Sequence, residues 1–140
     1  MTPTIERRNR DLANVYRRLI YDAVDAGYAP CVGELAERVA RHPAPAYYVD
    51  VLYAYAAVCR LRNGKNTIHG NRLAMWREIE AKASSYQAGH PGASLIEAVM
   101  YVVETQTASC FFLTPRSALR ILQKIRREER RNLRRKHLRH

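Results

Sequence analysis

Eleven lysines and arginines fall between Arg116 and His140 against two acids, Glu128 and Glu129, so this segment carries nine of the chain's eleven net positive charges. Nine of those eleven cations are arginine. A guanidinium presents a planar fork of donors that grips phosphate at two points, whereas lysine would serve solubility equally well. The chemistry such a segment offers is polyanion binding, in which cations displace the counterions condensed on a phosphate backbone. Arg116, Arg120, Lys124 and Arg127 leave an apolar stripe and are spaced to lie along a groove. There Arg and Lys suit guanine edges and phosphate, and Gln123 suits adenine. Arg130, Arg131, Arg134, Arg135 and Lys136, with Arg139 beyond them, are expected on phosphates. The same block also fits a solvated tail that does nothing more than repel its own kind.

Other chemistry is poorly represented. Asn63-Gly64-Lys65-Asn66 is no phosphate loop, because Cys59 stands where that pattern needs a glycine and Asn66 where it needs Ser or Thr. The five histidines form no HExxH, and no cysteine has finger spacing, so neither zinc nor another cofactor is expected. Glu34 and Glu37 share a helix side with His42 following, a pattern of ordinary surface charge. No nucleophile has an evident base, so the chain reads as non-enzymatic unless distant residues fold together into a site. Cys31, Cys59 and Cys110 are odd in number, widely spaced and set among apolar neighbours, which predicts buried, reduced thiols in a cytoplasmic protein. The opening MTPTIERRNRDL lacks the apolar core of a secretory signal, and no run of eighteen apolar residues predicts a membrane span.

The elements that must hold the cations read as helices. Thr2-Pro3 opens the first, with Leu12, Val15, Tyr16, Leu19, Ile20, Ala23 and Val24 on one face and Gly27 as its stop. Val32 to Arg41 forms the second, ended by His42-Pro43-Ala44-Pro45. Tyr47-Tyr48-Val49 predicts a short extended piece, after which Asp50 caps a third helix to about Arg62. Its VLYAYAAV run is apolar on nearly every side and predicts the buried centre of its unit. A fourth helix opens at Asn71-Arg72 with Leu73, Trp76, Ile79 and Ala83 inward. Ser94 caps a fifth to about Thr105, with Ile96, Val99, Met100 and Val103 inward. Thr114-Pro115 opens the sixth, whose stripe of Ala118, Ile121, Leu122 and Ile125 lasts about three turns before the charge takes over.

The chain also echoes itself. At an offset of 64, Phe111-Phe112-Leu113 matches Tyr47-Tyr48-Val49, Thr114 matches Asp50, Ala118 matches Ala54 and Leu122 matches Val58. The expected fold is therefore an all-α bundle of about six helices in two duplicated three-helix units, 1–66 and 67–125, with 126–140 as a basic C-terminal extension. The two aromatic segments are expected to pair as a small ribbon. Each unit loosely resembles a helix-turn-helix, although the connection before the capped helix is about eight residues where that motif has three or four. ARHPAPAYYVDVLYAYAAV and TASCFFLTPRSALRIL resemble segments of small uncharacterised helical proteins encoded by phages and mobile elements. That resemblance implies an accessory role in handling nucleic acid and transfers no functional residue. The sequence thus points to a non-enzymatic nucleic-acid-binding protein, DNA ahead of RNA. The alternative is a structural or adaptor module whose tail meets an acidic protein, an RNA-rich particle or anionic lipid without membrane insertion.

Overall fold

In a computed structural model the chain is all-helical; residues 3–138 are described. Six helices follow in order, α1 Pro3–Asp25, α2 Val32–Arg41, α3 Val51–Arg62, α4 Gly70–Gly89, α5 Leu95–Thr105 and α6 Pro115–Leu138. Thr2, the expected first cap, and Arg139 lie outside the described residues. The interior caps form as their residue types dictate. Asp50 accepts from the Tyr53 N–H at 3.2 Å, Ser94 from the Glu97 N–H at 3.2 Å and Thr114 from the Ser117 N–H at 3.1 Å. Gly27 takes φ +74°, while the Tyr28 N–H reaches back to the Ala23 carbonyl at 2.8 Å, the closure that stops α1.

The helices group differently from the units read along the sequence. One compact unit joins Met1–His42 with Leu113–His140, and the other is Pro43–Phe112. In the first, α6 packs on α1 and α2; in the second, α3 packs on α4 and α5. Each capped third helix therefore completes the helix pair of the other half of the chain. The connection after α2 runs to the segment after α5. There the Ala44 N–H donates to the Ala108 carbonyl at 3.1 Å and the Ala108 N–H to the Ala44 carbonyl at 2.9 Å. The rings of Tyr47 and Phe112 stack at 6.5 Å and those of Tyr48 and Phe111 at 6.0 Å.

The aromatic segments thus meet, but as one antiparallel bridge rather than a ribbon. Tyr48 and Phe112 have φ of 57° and 55°, and a left-handed residue interrupts an extended run. By the same regrouping, α2 and α3, and likewise α5 and α6, belong to different compact units.

The core of the first unit is Leu12, Ala13, Tyr16 and Ala23 of α1, Leu35, Ala36, Val39 and Ala40 of α2, and Ala118 and Leu122 of α6. The alanines let helix axes approach, and full burial of each larger side chain contributes roughly 1.5–3 kcal/mol. Val24, expected inward, is 63 % exposed near the C-terminal end of α1. In the second unit Trp76, Ile79, Val58, Val99 and Val102 are fully buried. Here α3 is not buried on all sides: Ala54, Ala57 and Val58 face in, while Leu52 and Tyr53 are exposed. Three packed helices enclose only one stripe of each, so the remaining apolar residues of α3 stay outside. On α5 the buried stripe is Ala98, Val99 and Val102, which rotates Met100 to the surface.

The connection 107–109 is tied to α4 by polar contacts. Glu78 accepts from the Tyr47 hydroxyl at 2.7 Å and from the Ser109 N–H at 3.1 Å. Lys82 donates to the Thr107 carbonyl at 2.7 Å. Burial alone pushes the Glu78 carboxyl up, but the donors Ser109 and Tyr47, with Lys82 nearby, hold it below its ordinary value. Burial and the facing carboxylate raise the Tyr47 phenol well above the usual range. A carboxylate whose pKa is depressed by folding contributes stability above its unfolded pKa, near 4.3, and loses it as pH falls through the lower folded value. Glu78→Gln should therefore cost about 1–3 kcal/mol at pH 7 and progressively less below pH 4. Urea melts of both proteins at pH 7 and pH 3 check this; an equal gap at the two pH values contradicts it.

Candidate nucleic-acid interface

The cations of α6 are sorted by its helical turn. Ala118 and Leu122 are buried, with Leu119, Ile121 and Ile125 partly so, and every side chain from Arg126 to Leu138 is exposed. Arg127 lies nine residues beyond Ala118, about two and a half turns, and so points away from the docked stripe. Arg120 and Arg134, about two turns to either side, share its line, and Arg116 lies beside them. Lys124 and Arg131 flank this line on one side and Arg130 on the other. These seven residues span about 27 Å at 1.5 Å per residue.

Two of the sequence-derived residues fall elsewhere. Arg135 lies at the edge of the face. Lys136 stands eighteen residues, about five whole turns, after Ala118 and so returns to the stripe's own direction. Arg126, absent from the set expected on spacing, belongs with the face: it lines a shallow hollow of about 330 Å³ with Gln123, Arg127 and Arg130. Its spacing of three from Gln123 and four from Arg130 was the available signal. A second hollow of about 240 Å³ lies across Arg127, lined with Lys124, Glu128 and Arg131.

The acids on α6 are placed unequally. Glu129 lies about three turns after Ala118 and forms an ion pair with Arg17 of α1. It is thereby turned toward the body and does not interrupt the cationic line. Arg10 sits two turns before Arg17 and shares its side of α1. Both partners of the ion pair are about half exposed, at 47 % and 49 % of the side-chain surface. Arg17→Ala should accordingly change stability by less than about 1 kcal/mol; a loss above that in a thermal melt would show that the pair holds α6 in place.

Charge follows the compact units. The first has eighteen Lys/Arg against eight acids and the second six against five. No family model, curated protein or solved structure matches this chain. The site therefore rests on its own geometry. Among the described residues no group of three or more His, Cys, Asp or Glu is placed to hold a metal ion. No described helix is long and apolar enough to cross a membrane. The three cysteines are free, but Cys31 is exposed and Cys59 and Cys110 are half-buried, correcting the expectation of buried thiols. Val58 and Phe111, beside Cys59 and Cys110, are buried, whereas Val32 beside Cys31 is itself exposed. Tyr28 is exposed and donates to Glu34 at 2.6 Å. Tyr86 is half-buried, stacked between His90 at 4.1 Å and Tyr101 at 4.4 Å.

Proposed function

We propose that this protein binds nucleic acid, DNA ahead of RNA, without catalysis, through phosphates contacted by α6. The observation that carries the reading is the single cationic face of α6, opposite its docked stripe and with Glu129 turned toward Arg17. Arg17 is paired with Glu129 on the body side of α6, and Arg10 shares its side of α1, so the cationic line of α6 is the surface this reading rests on. Counterion release from about six phosphates corresponds to a log–log salt slope of roughly −5 on duplex DNA. The echo at an offset of 64 and the resemblance to phage and mobile-element proteins belong to the same reading, as a duplicated helical body presenting one basic helix.

The test is titration of labelled duplex DNA, single-stranded DNA and RNA with the full chain at about 50 and 200 mM salt. Steeply salt-dependent binding, tightest on duplex DNA, is the expected result. Absence of binding to all three at the lower salt overturns it. An adaptor role has one specific observation in its favour: the nearly neutral second unit exposes Leu52, Tyr53, Met100 and Tyr101. In that reading the basic helix meets an acidic protein, and failure of all three titrations directs the search there.

A further inference from the structure

The distal half of α6 has a form that distinguishes one polyanion from another. Resting on the nucleic-acid reading above, we infer that it occupies the major groove of B-form DNA. From Arg126 onward all described side chains are exposed, and the Arg17–Glu129 pair touches this part of the helix on the side turned to the body, away from the cationic line. An α-helix with its side chains is about 10–12 Å across, and the B-DNA major groove is about 12 Å wide. The cations then match the three surfaces such a groove presents. Arg120, Arg127 and Arg134 form the central line toward the base edges, where arginine pairs with guanine O6 and N7. Arg126 and Arg130 lie on one flank, and Lys124 and Arg131 on the other, facing the two phosphate walls. The hollows on either side of Arg127 separate the central line from each flank, the second also lined by Glu128, whose charge is outweighed there by Lys124, Arg127 and Arg131.

The other nucleic acids fit less well. Between Pro115 and Leu138 there is no Phe, Tyr or Trp, so the helix lacks the large aromatic platforms on which successive unpaired bases stack most strongly. In A-form RNA the major groove is too deep and narrow for side chains to read.

Binding of the full chain should be measured to a guanine-containing DNA duplex of about two helical turns and to the same duplex carrying glucosylated 5-hydroxymethylcytosine, which fills the major groove and leaves the phosphates unchanged. An RNA duplex of the same sequence is the third probe, and a minor-groove drug on the unmodified DNA is the fourth condition. At least about tenfold weaker binding to the glucosylated and RNA duplexes is expected, with little effect of the drug. Equal affinity for plain and glucosylated DNA overturns the groove assignment while leaving phosphate binding intact. Tighter binding to the RNA duplex also overturns it. No binding to any probe instead removes the underlying nucleic-acid reading, so the two failures are distinguishable.

Discussion

Changing Lys124, Arg126, Arg130 and Arg131, the cations facing the phosphate walls, together to Gln should remove most nucleic-acid affinity and leave the fold intact. Each is exposed. Substitutions of that kind usually move stability by no more than about 0.5 kcal/mol each. The binding effect is far larger, because each phosphate left without its cation removes about 0.9 from the salt slope. With only two of about six phosphates still neutralised, the slope becomes roughly −2 in place of −5, and affinity at low salt falls by at least about a hundredfold. Titration of duplex DNA at several salt concentrations reads both quantities, and circular dichroism confirms that the helices persist. An unchanged slope would place binding elsewhere, whatever the change in affinity.

The largest stability effect is expected at Trp76. It is the largest fully buried side chain, and no other tryptophan competes for its role. Tyr53 packs against it with ring centres 5.8 Å apart, and the Arg72 guanidinium lies 5.7 Å from its ring centre. Trp76→Ala should cost about 3–5 kcal/mol, the usual toll of removing a buried aromatic and leaving a cavity. Trp76→Phe is the informative partner. The indole Nε1 is buried without a hydrogen-bond acceptor, a group whose desolvation is a standing penalty of about 1–3 kcal/mol. Phenylalanine removes that donor while keeping a ring against Tyr53, so its net cost should be less than half that of alanine. Denaturant melts decide this. Similar losses for both variants would mean that indole volume matters and the orphaned donor does not.

Stability and binding are separable because of how α6 is used. Its first turns contribute Ala118 and Leu122 to the core of the first unit, and its later turns contribute charge alone. A change such as Leu122→Ala should therefore weaken both properties, by about 2–5 kcal/mol in stability, whereas the changes at the exposed cations act on binding. Glu78, by contrast, lies in the second unit among Tyr47, Ser109 and Lys82, and its substitution is a probe of folding and pH.

Much of this was legible in the chain because it is local. Asp50, Ser94 and Thr114 cap their helices through bonds to residues three positions ahead, and Gly27 stops α1 within its own turn. The cationic face likewise follows from about 3.6 residues per turn, so the spacing of Arg120, Arg127 and Arg134 was sufficient to align them. What lay beyond sequence was the choice of partner for each buried stripe. Ala54 with Val58 and Ala118 with Leu122 are interchangeable as apolar patterns, and pattern alone assigned α3 to α1 and α2. Tertiary structure decided otherwise: α3 completes α4 and α5, and α6 completes α1 and α2. An apolar stripe specifies that a face must leave water, since that driving force is non-directional, and not which complementary surface will cover it. The same limit hid the pairing of Arg17 with Glu129 and of Tyr47 with Glu78, partners 112 and 31 residues apart whose meeting depends on how the helices pack.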